Sequence, residues 1–273
     1  IGEYAFSGCS GLTSINIPDS VTRIGDHAFL GCSGLTSVNI PDSVTSIGIS
    51  AFGNCSGLTS VILGNKVTSI ENYAFENCSE LLSVVLGEEL TSIGSRAFAY
   101  CGKLKVLEIP SSVKSIGEAA FSGCNGLLSI IVAEGNTVYH SEGNCLIETT
   151  TKILVLGCQT SQIPSDGSVE SIGDWAFSGC YDLRDIRIPS SVIRIGNWAF
   201  NGCFWLTNVY YEGTAEEWGQ ITIGSYNSNL TNATLYCYSE NEPALNADGA
   251  EYEGNYWHYD ADGVTPVIWK KEN

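Results

Sequence analysis

The chain has 273 residues, 44% of them hydrophobic, and its 12 basic and 30 acidic residues give a formal net charge of −18 at pH 7. Such a negative surface repels phosphate backbones and anionic lipids, which argues against nucleic acid and bare membranes as partners. No apolar run reaches the roughly 18 residues that a membrane-spanning helix needs.

A repeat of 23 residues organises most of the chain. Phenylalanine recurs at this interval, with one interruption, at Phe6, Phe29, Phe52, Phe75, Phe98, Phe121, Phe177 and Phe200. A cysteine stands three residues after each of them, at Cys9, Cys32, Cys55, Cys78, Cys101, Cys124, Cys180 and Cys203. A fixed period of this length predicts a solenoid, in which each repeat forms one coil and these side chains form a buried core ladder.

The cysteines are predicted to be reduced, although eleven of them in an exported chain would ordinarily indicate disulfides. Neighbouring coils lie about 4.8 Å apart, but equivalent side chains point the same way, so their Cβ atoms do not converge as a disulfide requires. We expect buried thiols that pack as small hydrophobic groups. A zinc site is the alternative, but the sequence contains no C-x-x-C pair.

Each coil contains two extended segments and one turn. In the first coil, apolar and polar residues alternate over 12–17, which predicts a half-buried strand that Pro18 ends. Residues 21–24 predict a second short strand, and residues 26–32 predict a single α-helical or 3₁₀ turn.

The consensus L-x-x-I-x-I-P-x-x-V-x-x-I-G-x-x-A-F-x-x-C resembles the BspA-type leucine-rich repeat family of bacterial surface proteins over about residues 1–211. The resemblance implies a right-handed superhelix with a parallel β-sheet on its concave side and short strands or 3₁₀ turns on the other side. Gly64 and Gly87 replace the strand-ending proline, which we expect to change only local turns.

The resemblance also implies a function and a location. It implies a non-catalytic, cofactor-free module that is secreted or displayed on the cell surface and binds a host or bacterial protein. The chain has no methionine and opens within a repeat, so we expect a segment of a longer exported protein whose signal peptide and anchor lie elsewhere.

Residues 133–158 interrupt the period. The β-rich runs 145–147 and 153–156 predict a hairpin that replaces the usual turn and projects from the stack. We leave open whether this insert is structural variation or a lip beside a ligand.

Residues 212–273 are predicted to form a β-rich C-terminal cap, because a solenoid needs its open end covered. Thr214, with Glu217 three residues on, predicts a capped helical turn. A strand is expected at 235–238, and a hairpin through 255–269 with its turn at Asp262-Gly263.

No catalytic or metal site is predicted. His27, His140 and His258 lie far apart in the repeat map, and no nucleophile and acid converge on them. The Asp-rich runs 246–249 and 260–263 lack the complete calcium-loop pattern. An alternative function is carbohydrate or cell-wall binding through stacking by the tail aromatics Tyr256, Trp257, Tyr259 and Trp269.

The candidate ligand-binding surface consists of the residues that point outward from the first strand of each coil. These residues are Asn16, Asn39, Ile62, Val85, Val106, Glu108, Ile131, Asp185, Arg187, Asn208 and Tyr210. Four of them are apolar, and a contiguous exposed apolar patch marks an interaction site. The alternatives are the strand preference of β-branched residues, or cover by the predicted hairpin. A protein partner is expected and a glycan is possible.

Overall fold

A computed structural model describes residues 1–249 and 251–270. It is a solenoid built almost wholly of short strands and turns. In chain order the strands are β1 (Arg23–Ile24), β2 (Ser37–Ile40), β3 (Ser46–Ile47), β4 (Ser60–Leu63), β5 (Ser69–Ile70), β6 (Ser83–Val85), β7 (Ser92–Ile93), β8 (Val106–Ile109), β9 (Ser115–Ile116), β10 (Ser129–Val132), β11 (Tyr139–Glu142), β12 (Cys145–Glu148), β13 (Ile153–Leu156), β14 (Ser171–Ile172), β15 (Asp185–Ile188), β16 (Arg194–Ile195), β17 (Asn208–Tyr211), β18 (Thr222–Ile223), β19 (Thr234–Tyr238), β20 (Tyr256–Tyr259) and β21 (Pro266–Ile268). The two helices are α1 (Ala215–Trp218) and α2 (Ser228–Thr231).

The predicted stacking of 23-residue coils is confirmed by the strand register. Before the interruption, the short strands form one parallel sheet in the order β1-β3-β5-β7-β9. The longer strands form parallel sheets on another side of the coils, in the orders β2-β4-β6 and β10-β8. Val38, Val61 and Val84 pair in succession in one sheet, as Ile24 and Ile47 do in the other. Equivalent residues of successive coils therefore lie side by side.

Residues 12–17 of the first coil, predicted as a strand, are not assigned to one. This coil lies at the end of the stack and meets its neighbour loosely here, since the Thr36 amide donates to the Thr13 carbonyl at 3.4 Å.

The segment predicted as a helical turn is instead a series of tight turns that are hydrogen-bonded to the next coil. Two residues of each segment have a left-handed backbone, as Tyr73 and Asn77 do with φ of 61° and 58°. Non-glycine residues seldom adopt this conformation. Main-chain hydrogen bonds between coils hold it in place, with the Phe75 amide donating to the Ala97 carbonyl at 2.7 Å.

The phenylalanines form a continuous stack inside the first part of the solenoid. Ring centroids from Phe6 to Phe121 lie 4.9–5.6 Å apart, with neighbouring planes within 7° of parallel. Phe177 and Phe200 stack in the same way at 5.1 Å. All are buried except Phe6, which belongs to the terminal coil and is only partly covered.

The cysteine ladder has a second role that the sequence pattern does not indicate. The Cys55, Cys78 and Cys101 thiols each donate to the phenylalanine carbonyl of the preceding coil at 3.1–3.3 Å. Each thiol therefore fills a small core volume and gives a second hydrogen bond to a phenylalanine carbonyl that already accepts one within its own turn, as the Phe52 carbonyl does from the Cys55 amide. Burial raises the pKa of Cys55 and of Cys203 to about 12, so these thiols stay protonated. Cys9, predicted to be buried with the others, is exposed on the terminal coil.

The interruption lies inside the solenoid. β12 and β13 form the predicted antiparallel hairpin, and β11 adds to β12 through a turn at Gly143 and Asn144 with φ of 53° and 61°. The prediction that the hairpin projects from the stack is wrong, because Cys145, Leu146 and Ile147 are fully buried. The hairpin separates the hydrophobic core into two clusters, one on each side of it.

Glycine lets the second phenylalanine stack begin at the interruption. Phe177 packs against the backbone of Gly157, where an added Cβ would lie 2.1 Å from the ring. The Gly157 amide also donates to the Ala176 carbonyl at 2.8 Å, which joins the irregular coil to the next regular one.

The C-terminal segment extends the long-strand sheet, in the order β15-β17-β19-β20-β21. The predicted capping box is present, since the Glu217 amide donates to Thr214 Oγ1 and the Thr214 amide donates to Glu217 Oε2. The predicted strand 235–238 lies within β19, and β20 and β21 form the predicted hairpin. No helix within the described residues has the length and apolar character to cross a bilayer.

Phe75→Ala should lower the free energy of unfolding by about 3–5 kcal/mol, because it removes a fully buried ring with stacked neighbours on both sides. Phe6→Ala is the matched control at the end of the stack, and it should cost about 1 kcal/mol. Urea unfolding followed by circular dichroism measures both values. Equal losses for the two variants would contradict the stack.

Only Cys9 should react quickly with Ellman's reagent in the native protein at pH 8, because the other ten thiols are buried and inaccessible to the reagent. All eleven should react in 6 M guanidinium without prior reduction. Several fast thiols in the native state, or fewer than eleven after unfolding, would contradict the ladder of free thiols.

Candidate binding surface on the long-strand face

The long-strand face is defined here as the outward side of β2, β4, β6, β8, β10, β15 and β17. Inward and outward residues alternate along these strands, as the burial of β8 shows. Of the eleven candidate residues, the exposed ones are Asn16, Asn39, Ile62, Val85, Val106, Glu108, Ile131 and Asp185. Arg187 and Asn208 are half-buried, and Tyr210 is buried.

An apolar patch covers the part of this face before the interruption. Ile62, Val85, Val106 and Ile131 are 49%, 55%, 41% and 44% exposed. Ile62 lies directly opposite Val85, and Glu108 lies opposite Ile131. The inserted hairpin is inside the core and leaves the patch uncovered. Hydrophobic side chains therefore stand in solvent on a surface whose geometry is fixed by the sheet.

The patch contains a cleft between β6 and β8. Its volume is about 500 Å³, and its lining includes Val85, Glu108 and Ile131. The inward residues Val84 and Leu86 also line it.

The other end of the face is tied to the C-terminal segment. Arg187 Nε lies 3.2 Å from Glu212 Oε1, which accepts a hydrogen bond of 2.5 Å from the Tyr259 hydroxyl. Burial, reinforced by the Glu212 carboxylate, raises the pKa of Tyr259 to about 12. Tyr210 is 8% exposed and packs edge-on against Trp257 at 5.7 Å. Arg187 and Tyr210 therefore hold the C-terminal hairpin, and Tyr210 does not offer its ring to a ligand.

The tail aromatics are also largely engaged within the fold. Trp257 is fully buried, and its Nε1 donates to the Tyr211 carbonyl at 2.9 Å. Trp269 Nε1 donates to the Ser239 carbonyl at 2.9 Å, and Tyr259 packs edge-on against Trp257. The rings thus join the hairpin to the solenoid and do not form an open stacking platform.

The three histidines remain apart. His27 stacks on Tyr4 at 4.7 Å, His140 Nδ1 shares a hydrogen bond with Thr149, and His258 lies 4.2 Å from the Trp269 ring. Across residues 1–249 and 251–270, no group of three or more His, Cys, Asp or Glu side chains is placed to hold a metal ion.

Two surface features are absent from the sequence prediction. One is the cleft, and the other is a pair of exposed rings, Phe204 and Trp205, 70% and 57% exposed. The signal for the rings is a departure from the repeat, since the first three coils carry Ser-Gly after the cysteine, as at Ser33-Gly34. At the cleft, Lys105-Val106 stands where the first three coils have Thr-Ser and the fourth has Leu82-Ser83.

The sequence matches the family model described as a BspA type leucine rich repeat region, with six copies over residues 1–128 and 155–241. No curated protein shows significant similarity to the chain.

Solved structures of bacterial leucine-rich repeat proteins share the fold. A leucine rich cell surface protein from Faecalibacterium prausnitzii is 25% identical with a TM-score of 0.50, over 81% of this chain and 85% of that one. The T. pallidum leucine rich repeat protein is 26% identical with a TM-score of 0.51, over 76% and 81% of the two chains. A leucine-rich repeat protein from Bacteroides ovatus, 24% identical with a TM-score of 0.55 over 83% and 64%, resembles the chain in fold alone.

The family match covers most of the chain, and its two parts lie on either side of residues 129–154. Together with the 23-residue register of the sheets, it shows that the chain belongs to the BspA-type leucine-rich repeat family.

Proposed function

We propose that the chain is a non-catalytic binding module of an exported bacterial surface protein, and that it recognises a protein partner through the long-strand face. The observation that carries the proposal is the patch formed by Ile62, Val85, Val106 and Ile131. The partner belongs to the host extracellular matrix or to a bacterial surface, and binding it is the adhesive role of the module.

The patch favours a protein partner for energetic reasons. Removing apolar surface from water gains about 25 cal/mol per Å², so contiguous exposed apolar side chains make contact with a complementary surface favourable. The patch residues sit on paired strands, and little conformational entropy is lost when they are covered.

The charge of the module selects among partners. A net charge of −18 steers basic surfaces toward the face and repels acidic ones. Glu108 lies beside Ile131, within the patch, so the preference acts at the contact itself. The cell-surface description of the F. prausnitzii relative supports a surface or secreted location for this chain as well.

Carbohydrate binding through the tail is the less favoured alternative. A glycan-stacking site needs open ring faces, whereas Trp257 is fully buried and both indole groups are hydrogen-bonded to main-chain carbonyls.

The double variant Ile62→Asn/Val85→Asn should weaken capture of the protein partner at least tenfold, because it replaces the exposed apolar contacts with amides. The measurement is pull-down by the immobilised chain from extracellular-matrix and bacterial surface extracts, with quantitative mass spectrometry. Both positions are exposed, so stability should change by less than about 0.5 kcal/mol.

The matched control is Ile49→Asn/Ile193→Asn, the same chemical change at exposed residues outside the long-strand face. Its captured proteins should equal those of the unaltered chain. Unchanged capture by the first variant, or equal loss in both, would refute binding through this face.

A further inference from the structure

The long-strand sheet is interrupted at the inserted hairpin and also between β6 and β8, where no residues are inserted and the rest of the two coils stays paired. β6 is the last strand of one sheet and β8 is the edge strand of another, and the structure records no pairing between these two strands, both within the described residues. Elsewhere the same two coils remain joined. The Phe75 amide donates to the Ala97 carbonyl at 2.7 Å, and Phe75 stacks on Phe98 at 5.1 Å. We call this opening between β6 and β8 the seam.

The repeat changes near the seam. In earlier coils, the threonine before each long strand donates its hydroxyl to the equivalent carbonyl of the preceding coil, as Thr59 does to Thr36 at 2.9 Å. The corresponding residues of the next two coils are Leu82 and Lys105, which have no hydroxyl. Leu82 still pairs through its amide with Thr59, whereas Lys105 lies across the seam from it. The row of hydroxyl bonds therefore ends one coil before the seam, and Leu128 pairs through its amide with Lys105 on the far side of it.

The seam exposes the core. Val84 and Leu86 point inward but are each 9% exposed, whereas their equivalents Val61 and Leu63 in the preceding coil are 1% and 3% exposed. The cleft of about 500 Å³ has room for a bulky apolar side chain. Such a side chain would contact Val84 and Leu86.

The chemistry of the cleft identifies its ligand. Its walls are apolar, formed by residues that include Val85, Ile109 and Ile131, while Glu88 and Glu108 supply carboxylates in the lining. An apolar group flanked by a positive charge complements this lining, and the net charge of −18 adds to the attraction.

The unpaired strands favour a peptide over a hydrocarbon. A ligand that expels water from the cleft also removes water from the main-chain groups of β6 and β8 that face the seam. A peptide backbone replaces those hydrogen bonds, whereas an aliphatic chain leaves them unsatisfied at a cost of about 1–3 kcal/mol each.

We propose that the seam is the specific recognition point of the long-strand face, and that it takes an extended segment of a basic protein. One apolar side chain of the segment enters between β6 and β8, and a neighbouring lysine or arginine pairs with Glu88 or Glu108. This inference rests on the proposed function and adds the chemical class of the partner.

The test uses the full chain as bait for a displayed library of random twelve-residue peptides. Enriched peptides should combine lysine or arginine with adjacent bulky apolar residues. Fluorescence anisotropy of the labelled peptides should show at least tenfold weaker binding to Glu108→Lys and to Ile131→Asn. Binding should weaken as NaCl rises. Bound peptide should also slow amide exchange in residues 83–85 and 106–109.

Two matched variants serve as controls, Glu3→Lys for the charge reversal and Ile193→Asn for the apolar change. Both residues are exposed and lie away from the cleft lining, and peptide affinity should be unchanged in each. The proposal is overturned if no peptide is enriched, if the enriched peptides are acidic or uncharged, or if they bind Glu108→Lys and Ile131→Asn as tightly as the unaltered chain.

The outcome separates the two proposals. Loss of partner capture by Ile62→Asn/Val85→Asn, together with normal capture by Glu108→Lys and Ile131→Asn, would keep the binding face and eliminate the seam. Normal capture by all of these variants would eliminate both.

Discussion

The interaction on which the solenoid depends is a main-chain hydrogen bond from a repeat phenylalanine amide to an alanine carbonyl one coil further along, made by six of the eight repeat phenylalanines. It is 2.7 Å long for Phe29, Phe52 and Phe75, donated to Ala51, Ala74 and Ala97. The bond fixes the spacing between coils, and this spacing of about 5 Å brings the rings into parallel stacking and each thiol within reach of a carbonyl. It also holds the left-handed residues, whose conformation costs about 1–2 kcal/mol each in isolation.

Much of the fold could be predicted because the same pattern of apolar and polar residues recurs in every regular coil. The strands, the inward phenylalanines and the capping box at Thr214 follow from local pattern. The burial of the inserted hairpin could not be predicted, because residues 145–156 read as a hairpin whether they face solvent or core. These residues lie between Phe121 and Phe177, whose separation in sequence is not a multiple of the 23-residue repeat. In the structure they pack between the two core clusters.

The candidate surface was predictable only in part, for a related reason. Alternation within a strand tells which residues point outward, and Ile62, Val85 and Ile131 do so. Whether an outward residue is exposed also depends on whether another segment packs over the face. The C-terminal hairpin packs over Tyr210 and buries it. The seam arises because β6 and β8 do not pair. The repeat consensus predicts pairing between every two neighbouring coils, so it does not indicate where pairing is missing.

The regular stacking of the other coils forms a rigid scaffold. This scaffold holds the seam, with its apolar lining and flanking carboxylates, in a fixed position on the binding face. The most direct measurement of the stacking is native-state amide hydrogen exchange at the repeat phenylalanines. The amides of Phe29, Phe52, Phe75 and Phe98 should exchange only through global unfolding, far more slowly than those of the exposed turn 261–265. Exchange of these amides as fast as in that turn would contradict a stack of coils joined in register.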